Sequence, residues 1–314
     1  MRKVLVTGCA GFIGSHLVEA LLARGANVVG VDCLTPFYEI ERKRANLNHF
    51  LGHPGFRFIE GDLNHPHVLE HALPGVETVF HLAARAGVRS SWGDTFDSYL
   101  QENLMATQRL LEACAKSRLA KFVNASSSSV YGNTPDLPAR EDSRLRPASP
   151  YGVTKLAAEK LCDVYREVMS VPSVSLRLFT VFGPRQRPDM AFDRFLRAAY
   201  GGEAIHVFGD GSQVRNFTYV SDVVEGFLLA AEHPTPSGVY NIGGGATVRL
   251  SEVLDYMATV VGKPLKIEYE PKAPGDVAAT EADITLARSE LGFDPKVDWR
   301  EGIRRQGEWV LRSL

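Results

Sequence analysis

Tyr151 and Lys155 stand four residues apart in Tyr151-Gly152-Val153-Thr154-Lys155, a spacing that places both on one face of a helix. An ammonium close to a phenol favours the phenolate and lowers a pKa that is ordinarily ~10. A phenolate near neutral pH is a base for an alcohol being oxidised. The pair alone says little, because Tyr-x-x-x-Lys arises by chance in many helices. The run Ser126-Ser127-Ser128-Ser129 adds to it, since it directly follows an apolar stretch, Lys121 to Ala125, that reads as a strand. Hydroxyls at the carboxyl edge of such a strand lie where α/β sheets bind ligands. One of them can share a substrate proton with Tyr151.

A second chemistry lies at the N-terminus. Gly8-Cys9-Ala10-Gly11-Phe12-Ile13-Gly14 carries glycines at spacing three and three, after an apolar strand and before a helical pattern. Glycines let the backbone turn sharply and approach a pyrophosphate, and the helix N-terminus directs N–H groups at the anion. Asp32 closes the next apolar run, about 20 residues on, where an acid hydrogen-bonds a ribose 2′-hydroxyl. It would repel a 2′-phosphate, so the pattern favours NAD over NADP.

The elements that must position these groups alternate. Strands are expected at 3–7, 28–32, 56–59, 78–82, 121–125 and 173–179, with helical segments between most of them. This order predicts an α/β fold, a doubly wound parallel sheet of Rossmann type. After Val181, proline and glycine cluster and the elements shorten. We therefore expect residues 1–180 to form the cofactor-binding domain and 181–314 mainly a smaller substrate-binding lobe, with segments around 217–245 returning to the first. Trp299 to Leu314 reads as an amphipathic helix.

The chain has 314 residues, 45% hydrophobic and 23% charged, with a formal charge of -2. No global basic field is present to hold nucleic acid or an anionic membrane. No apolar run reaches the ~18 residues of a membrane helix, and Met1-Arg2-Lys3 leads straight into the first strand, so no signal peptide is expected. Four dispersed cysteines without a Cys-x-x-Cys pair fit a reducing cytoplasm. His65, His67 and His71 have no carboxylate or cysteine context, so no metal is expected.

Taken together, Thr7-Gly-x-x-Gly-x-x-Gly14, Asp62-Leu63, His81-Leu82-Ala83-Ala84, Ser126 to Gly132 and Tyr151-x-x-x-Lys155 resemble the extended short-chain dehydrogenase/reductases. The resemblance covers nearly the whole chain. It implies a tightly held NAD and a nucleotide-sugar substrate. It places Gly8, Gly11, Phe12, Ile13 and Gly14 at the pyrophosphate, Asp62 and Leu63 at the adenine, and Leu82, Ala83 and Ala84 against the cofactor. Ser127 maps to the active-site Ser/Thr, with Ser128 and Ser129 as substrate neighbours, and Lys155 also holds the nicotinamide ribose. Helices over Tyr99 to Lys116 and Tyr151 to Val168 match those that related proteins pair in a dimer, so a homodimer is expected.

The same resemblance narrows the reaction. Sugar-nucleotide dehydratases carry an Asp-Glu pair, and UDP-glucuronate decarboxylases a Glu, where Ser128 and Ser129 stand here. The segment Thr180 to Ala191 is similar to the Gly-Pro-x-x-Arg-Pro-Asp-Met stretch of UDP-glucuronate 4-epimerases. Arg187, with Thr180, is the candidate for a uronic carboxylate; Arg185 is the alternative and Arg89 a further candidate. A planar guanidinium suits a carboxylate because it can bind bidentately. Val207-Phe208 resembles the loop that packs on uracil, Arg215 the diphosphate arginine, and Gly275-Asp276 the ribose contact. Ala273 departs from an arginine found in many UDP-glucose 4-epimerases. The expectation is NAD-dependent 4-epimerisation of a UDP-sugar, UDP-glucuronate to UDP-galacturonate. UDP-glucose 4-epimerase and UDP-glucuronate decarboxylase remain alternatives on the same scaffold. A catalytically dead NAD sensor would have lost Tyr151 or Lys155.

Overall fold

The computed structural model describes residues 2–234, 238–271, 275 and 277–314. The first half builds β1 (Lys3–Thr7), α1 (Phe12–Ala23), β2 (Asn27–Asp32), α2 (Ile40–Asn48), β3 (Phe56–Glu60), α3 (Pro66–Ala72) and β4 (Thr78–His81). A helix follows in three pieces: α4 (Phe96–Tyr99), a π-helical stretch at Leu100–Met105, and α5 (Ala106–Ala115). Then come β5 (Lys121–Ser127), α6 (Pro150–Met169) and β6 (Ser173–Leu178).

The second half is built from smaller pieces. These are β7 (Val181–Phe182), α7 (Ala191–Gly201), β8 (Ala204–Phe208), β9 (Val214–Asn216), β10 (Thr218–Tyr219) and α8 (Val220–Glu232). They continue through β11 (Val239–Ile242), β12 (Thr247–Arg249), α9 (Leu250–Val261), β13 (Lys266–Glu270), β14 (Ala279–Thr280) and α10 (Trp299–Arg312).

Seven parallel strands form the central sheet in the order β11-β6-β5-β4-β1-β2-β3. Apolar, β-branched runs such as Val4-Leu5-Val6 and Val28-Val29 are buried because helices cover both faces. The order reverses between β1 and β4, which opens a crevice at their carboxyl ends. The sequence ends the fifth strand at Ala125, but the ladder runs on, pairing Ser126 with Arg177 and Ser127 with Leu178. Ser126 and Ser127 therefore belong to the strand, and Ser128–Val130 makes a single 3₁₀ turn beyond it.

Helix α8 and strand β11 come back to the first half. Helix α8 packs on α1, and β11 adds to the edge of the central sheet beside β6. The rest of the second half forms three small sheets, β7 with β10, β8 with β13, and β12-β9-β14, packed with α7, α9 and α10. Phe182, Phe192, Phe217 and Tyr219 join the parts; the Phe192 and Phe217 rings lie 4.8 Å apart and Phe182 meets Tyr219 edge-on at 5.5 Å. Among the described residues no helix is long and apolar enough to cross a membrane, and no group of three His, Cys, Asp or Glu side chains could hold a metal ion.

Candidate active site

The turn from β1 into α1 leaves no room for side chains. A Cβ on Gly14 would sit 2.1 Å from the Gly8 carbonyl oxygen, and one on Gly8 would meet the Ala83 nitrogen at 2.8 Å, with Gly8 at φ +70°. Gly11 caps α1 without a side-chain bond, so the first-turn N–H groups remain for an anion. Phe12 is buried and Ile13 half-buried behind that turn. Across it, Thr7 Oγ1 accepts from the N–H groups of Leu82 and Ala83, both at 3.2 Å. Its neighbour His81 is neutral, because burial and then the Lys155 charge lower its pKa to about 3.

Asp32 ends β2, buried, and accepts from the Ala10 N–H at 3.1 Å and the Leu34 N–H at 2.9 Å. Burial raises its pKa against the pull of Lys43. Asp62 follows β3 and accepts from the Asn64 N–H at 2.8 Å, with Leu63 buried between them. Ala84 is half-buried beyond β4. The glycine cradle, the uncapped helix start and the Asp32 carboxylate beyond them fit a dinucleotide.

Helix α6 starts sharply, with Pro150 in its first turn and Ser149 Oγ accepting from the Gly152 N–H at 3.1 Å. That start fixes Tyr151 and Lys155 on one face, opposite the end of β5. Burial raises the Tyr151 pKa; a side-chain hydrogen bond with Ser127 and the Arg187 charge lower it, while Tyr99 opposes them. The sequence expects Lys155 to be the cation that acts on the phenol. In the structure Lys155 Nζ donates to the Ala125 carbonyl at 2.7 Å, while the Arg187 charge lowers the Tyr151 pKa. One helical turn carries the lysine deeper, to the strand rather than the phenol. Burial lowers the Lys155 pKa to about 8.

A buried network that sequence reading missed lies under this pair. Glu159, one turn beyond Lys155, accepts from Ser126 Oγ at 2.8 Å and from both Arg177 Nε and Nη2 at 3.1 and 2.6 Å. Arg177 Nη1 reaches the Tyr131 hydroxyl at 2.8 Å, which donates to Asn241 Oδ1 at 2.7 Å. The repeated spacing of four, Tyr151, Lys155, Glu159, was the available signal.

The loop after β7 separates its two arginines. Arg185, at φ +64°, turns back to Glu19 of α1 with two bonds of 2.9 and 2.8 Å. The Arg187 charge and the Tyr151 phenol act on each other. Burial works against the Arg187 charge, but Asp189, bound at 2.9 Å through both oxygens, outweighs it and raises the pKa. Thr180 lies just before β7, half-buried, its carbonyl accepting from the Thr218 N–H at 2.9 Å.

The nucleotide candidates divide. Arg89 stacks on the Phe208 ring at 4.0 Å, joining the first lobe to β8. Val207 corrects the sequence expectation. Strand alternation turns it away from Phe208 into the core, where it is fully buried and offers no contact surface. Arg215 donates to the carbonyls of Val277 and Ala278 at 2.7 and 3.1 Å. Ser128 and Ser129 are half-buried, the Ser129 N–H donating to Ser127 Oγ at 3.2 Å. Asp276 and Ala273 lie outside the described residues.

Comparison with known proteins places this geometry. Residues 4–243 match the NAD dependent epimerase/dehydratase family. A UDP-glucuronic acid 4-epimerase from Bacillus cereus, solved with UDP-glucuronic acid and NAD, is 39% identical over all of both chains, with a TM-score of 0.96. MoeE5, solved with UDP-glucuronic acid and NAD, is 45% identical over 99% of this chain and all of that one, with a TM-score of 0.89. An uncharacterised UDP-glucose epimerase of Bacillus subtilis, YtcB, is 43% identical over 97% of this chain and 96% of its own length.

Proposed function

The chain belongs to the NAD dependent epimerase/dehydratase family, and from that premise we propose that it interconverts UDP-glucuronate and UDP-galacturonate by 4-epimerisation. Arg187 carries the choice of a uronate: a largely buried guanidinium placed to act on the Tyr151 phenol. The two similar solved structures bind UDP-glucuronic acid with NAD. Their cofactor fits the cradle at Gly8, Gly11 and Gly14. A UDP-glucose reading has its own support, since MoeE5 has also been solved with UDP-glucose.

NAD supplies an acceptor and donor of hydride that is unchanged over a full cycle. Tyr151, as phenolate, takes the proton of the 4-hydroxyl with Ser127 hydrogen-bonded to it. The C4–H bond gives up its electron pair as hydride, and a 4-keto sugar results. After the ring turns over, hydride returns to the opposite face of C4 and Tyr151 returns the proton. Lys155 holds the nicotinamide ribose, and Asp32 the adenosine ribose.

A 4-keto uronate is a β-keto acid. Its carboxylate leaves as CO₂ when the C5–carboxyl bond aligns with the carbonyl π system; the electron pair stays on C5, which then takes a proton. Arg187 with Thr180 keeps the carboxylate out of that alignment. Serines at 128 and 129 place no carboxyl group on the loop to drive dehydration.

We assign residues 1–180, with 217–245, to cofactor binding and most of 181–314 to the nucleotide sugar. Phe208, Arg89, Arg215 and Asp276 are assigned to the nucleotide. A homodimer through α5 and α6 is supported by the exposed Val153, Val164 and Val168 on α6; a monomer in sedimentation velocity would remove it. Four free cysteines suit a reducing cytoplasm.

The deciding experiment is proton NMR of the products formed from UDP-glucuronate without added NAD. UDP-galacturonate is expected. UDP-pentose alone would make the chain a decarboxylase, and turnover of UDP-glucose alone would make it a neutral-sugar epimerase.

A further inference from the structure

Arg187 is the cation on which the uronate reading rests, and the structure holds it from two sides. Asp189 accepts from Nε and Nη2, each at 2.9 Å, along one edge of the guanidinium. A guanidinium carries five N–H donors in a fixed fork. With the side edge taken, the Nη1–Nη2 edge has no partner among the described residues. A second carboxylate can bind that edge bidentately without displacing the first.

The other restraint is Phe37. Two guanidinium groups approach its ring, Arg187 with Cζ at 5.8 Å and Arg85 with Cζ at 5.1 Å from the centroid. Arg85 is itself fixed, donating from Nε to Glu102 at 3.0 Å and lying 6.0 Å over Tyr99. Tyr99 meets Tyr151 edge-on at 6.2 Å. A continuous chain of rings and cations thus runs from Arg187 through Phe37, Arg85 and Tyr99 to Tyr151. Phe37 and Asp189 also share the wall of a cavity of about 580 Å³ beside this chain, with Pro36, Tyr38 and Pro188.

We propose that Asp189 and Phe37 are specificity-determining positioning residues. Asp189 holds one edge of Arg187 and the Phe37 ring fixes its plane, so that the opposite edge is presented to the sugar's carboxylate in a single orientation. Neither touches the reacting atoms. Their role is to keep the 4-keto uronate from reaching the alignment that loses CO₂. The proposal rests on the uronate reading above.

The test is product partition. Wild type, Asp189→Asn, Phe37→Leu and Phe37→Tyr are incubated with UDP-glucuronate, and UDP-galacturonate and UDP-pentose are counted by NMR. UDP-glucose turnover is measured in parallel. The pentose share is expected to rise about tenfold in Asp189→Asn, which loses a charge-assisted bidentate contact. It should rise about two- to fivefold in Phe37→Leu, which loses one ring–cation contact, and fall back to the wild-type share in Phe37→Tyr. UDP-glucose turnover should fall by less than UDP-glucuronate turnover in each variant, because the neutral sugar feels only the phenol's share of a loosened Arg187. An unchanged pentose share in both Asp189→Asn and Phe37→Leu would overturn the proposal while leaving the epimerase reading standing. An equal loss of turnover with both sugars would also overturn it. A wild-type protein that makes no UDP-galacturonate would overturn both.

Discussion

The start of α6 and the loop at 183–190 both supply groups to the same site, yet they are built in opposite ways. Tyr151 and Lys155 sit on a capped helix over a buried ion pair, Glu159 with Arg177, whose side chains are 0% and 2% exposed. Arg187 sits on an irregular loop, 19% exposed, paired with an Asp189 that is 43% exposed. Sheet, helix and buried network over-determine the first region. The second is held by a few anchors: Arg185 to Glu19, His16 to the Pro184 carbonyl, and Gln186 to Gln306. Chemistry common to many substrates needs a rigid frame. Choice among substrates needs only one well-placed cation, and a loop can change it without disturbing the frame.

The sharpest way to break this contrast is Tyr151→Phe. Removing the acid–base group should lower kcat by about 10²–10⁴ with any sugar, while bound NAD, measured after denaturation, stays at the wild-type level. A variant that kept turnover with either sugar would move the chemistry off α6. Next is Glu159→Ala, which strands Arg177 in the core. Breaking a buried pair costs about 3–5 kcal/mol, and urea midpoints should fall accordingly. If the midpoint does not move, the frame beneath the catalytic helix is not what holds it.

Arg187→Ala tests the other region. Losing a charge-assisted bond of about 1.5–3 kcal/mol should raise KM for UDP-glucuronate by roughly 10- to 100-fold. The product should shift towards UDP-pentose. UDP-glucose separates two effects of the same residue. Arg187 also lowers the Tyr151 pKa, so a modest loss of kcat on the neutral sugar would report the phenol alone. Equal losses on both sugars would leave no role for the carboxylate.

The two regions were also unequally legible in the sequence. Strand–turn–helix periodicity and the Gly8, Gly11 and Gly14 spacing are local signals, so the order of sheet and cradle could be read directly. The spacing of Tyr151 and Lys155 is equally local, but the partner of each is not. That Lys155 donates to Ala125 depends on how α6 packs on β5, and that the Arg187 charge acts on the phenol depends on how the 183–190 loop folds, both pairings between residues distant in sequence. The resemblance favoured Arg187 over Arg185, but where the structure sends each side chain was not legible, for the same reason. Positive φ at Arg185 turns it back to α1, and no pattern of residue types encodes that turn. Phe37 and Arg85, remote from Arg187 in sequence, carried no motif at all.

The smallest expected effect concerns how the loop is tied to the frame. Arg185 is 9% exposed and its partner Glu19 35% exposed, on the solvent side of α1. A charge-assisted contact with one partner this buried is worth about 1.5–3 kcal/mol, so Glu19→Ala should lower the urea midpoint, though by less than Glu159→Ala. Yet α1 is the helix whose start would hold the cofactor's pyrophosphate, and Arg185 is the bridge from it to Arg187. Releasing Arg185 gives the loop freedom without removing any group from the site. KM for UDP-glucuronate should then rise about two- to threefold, because no group that meets the sugar is removed, while KM for UDP-glucose and NAD content hold constant. A rise shared by both sugars would mean that Arg185 supports the lobe as a whole. A change confined to the uronate would mean that the frame reaches substrate choice through this one ion pair.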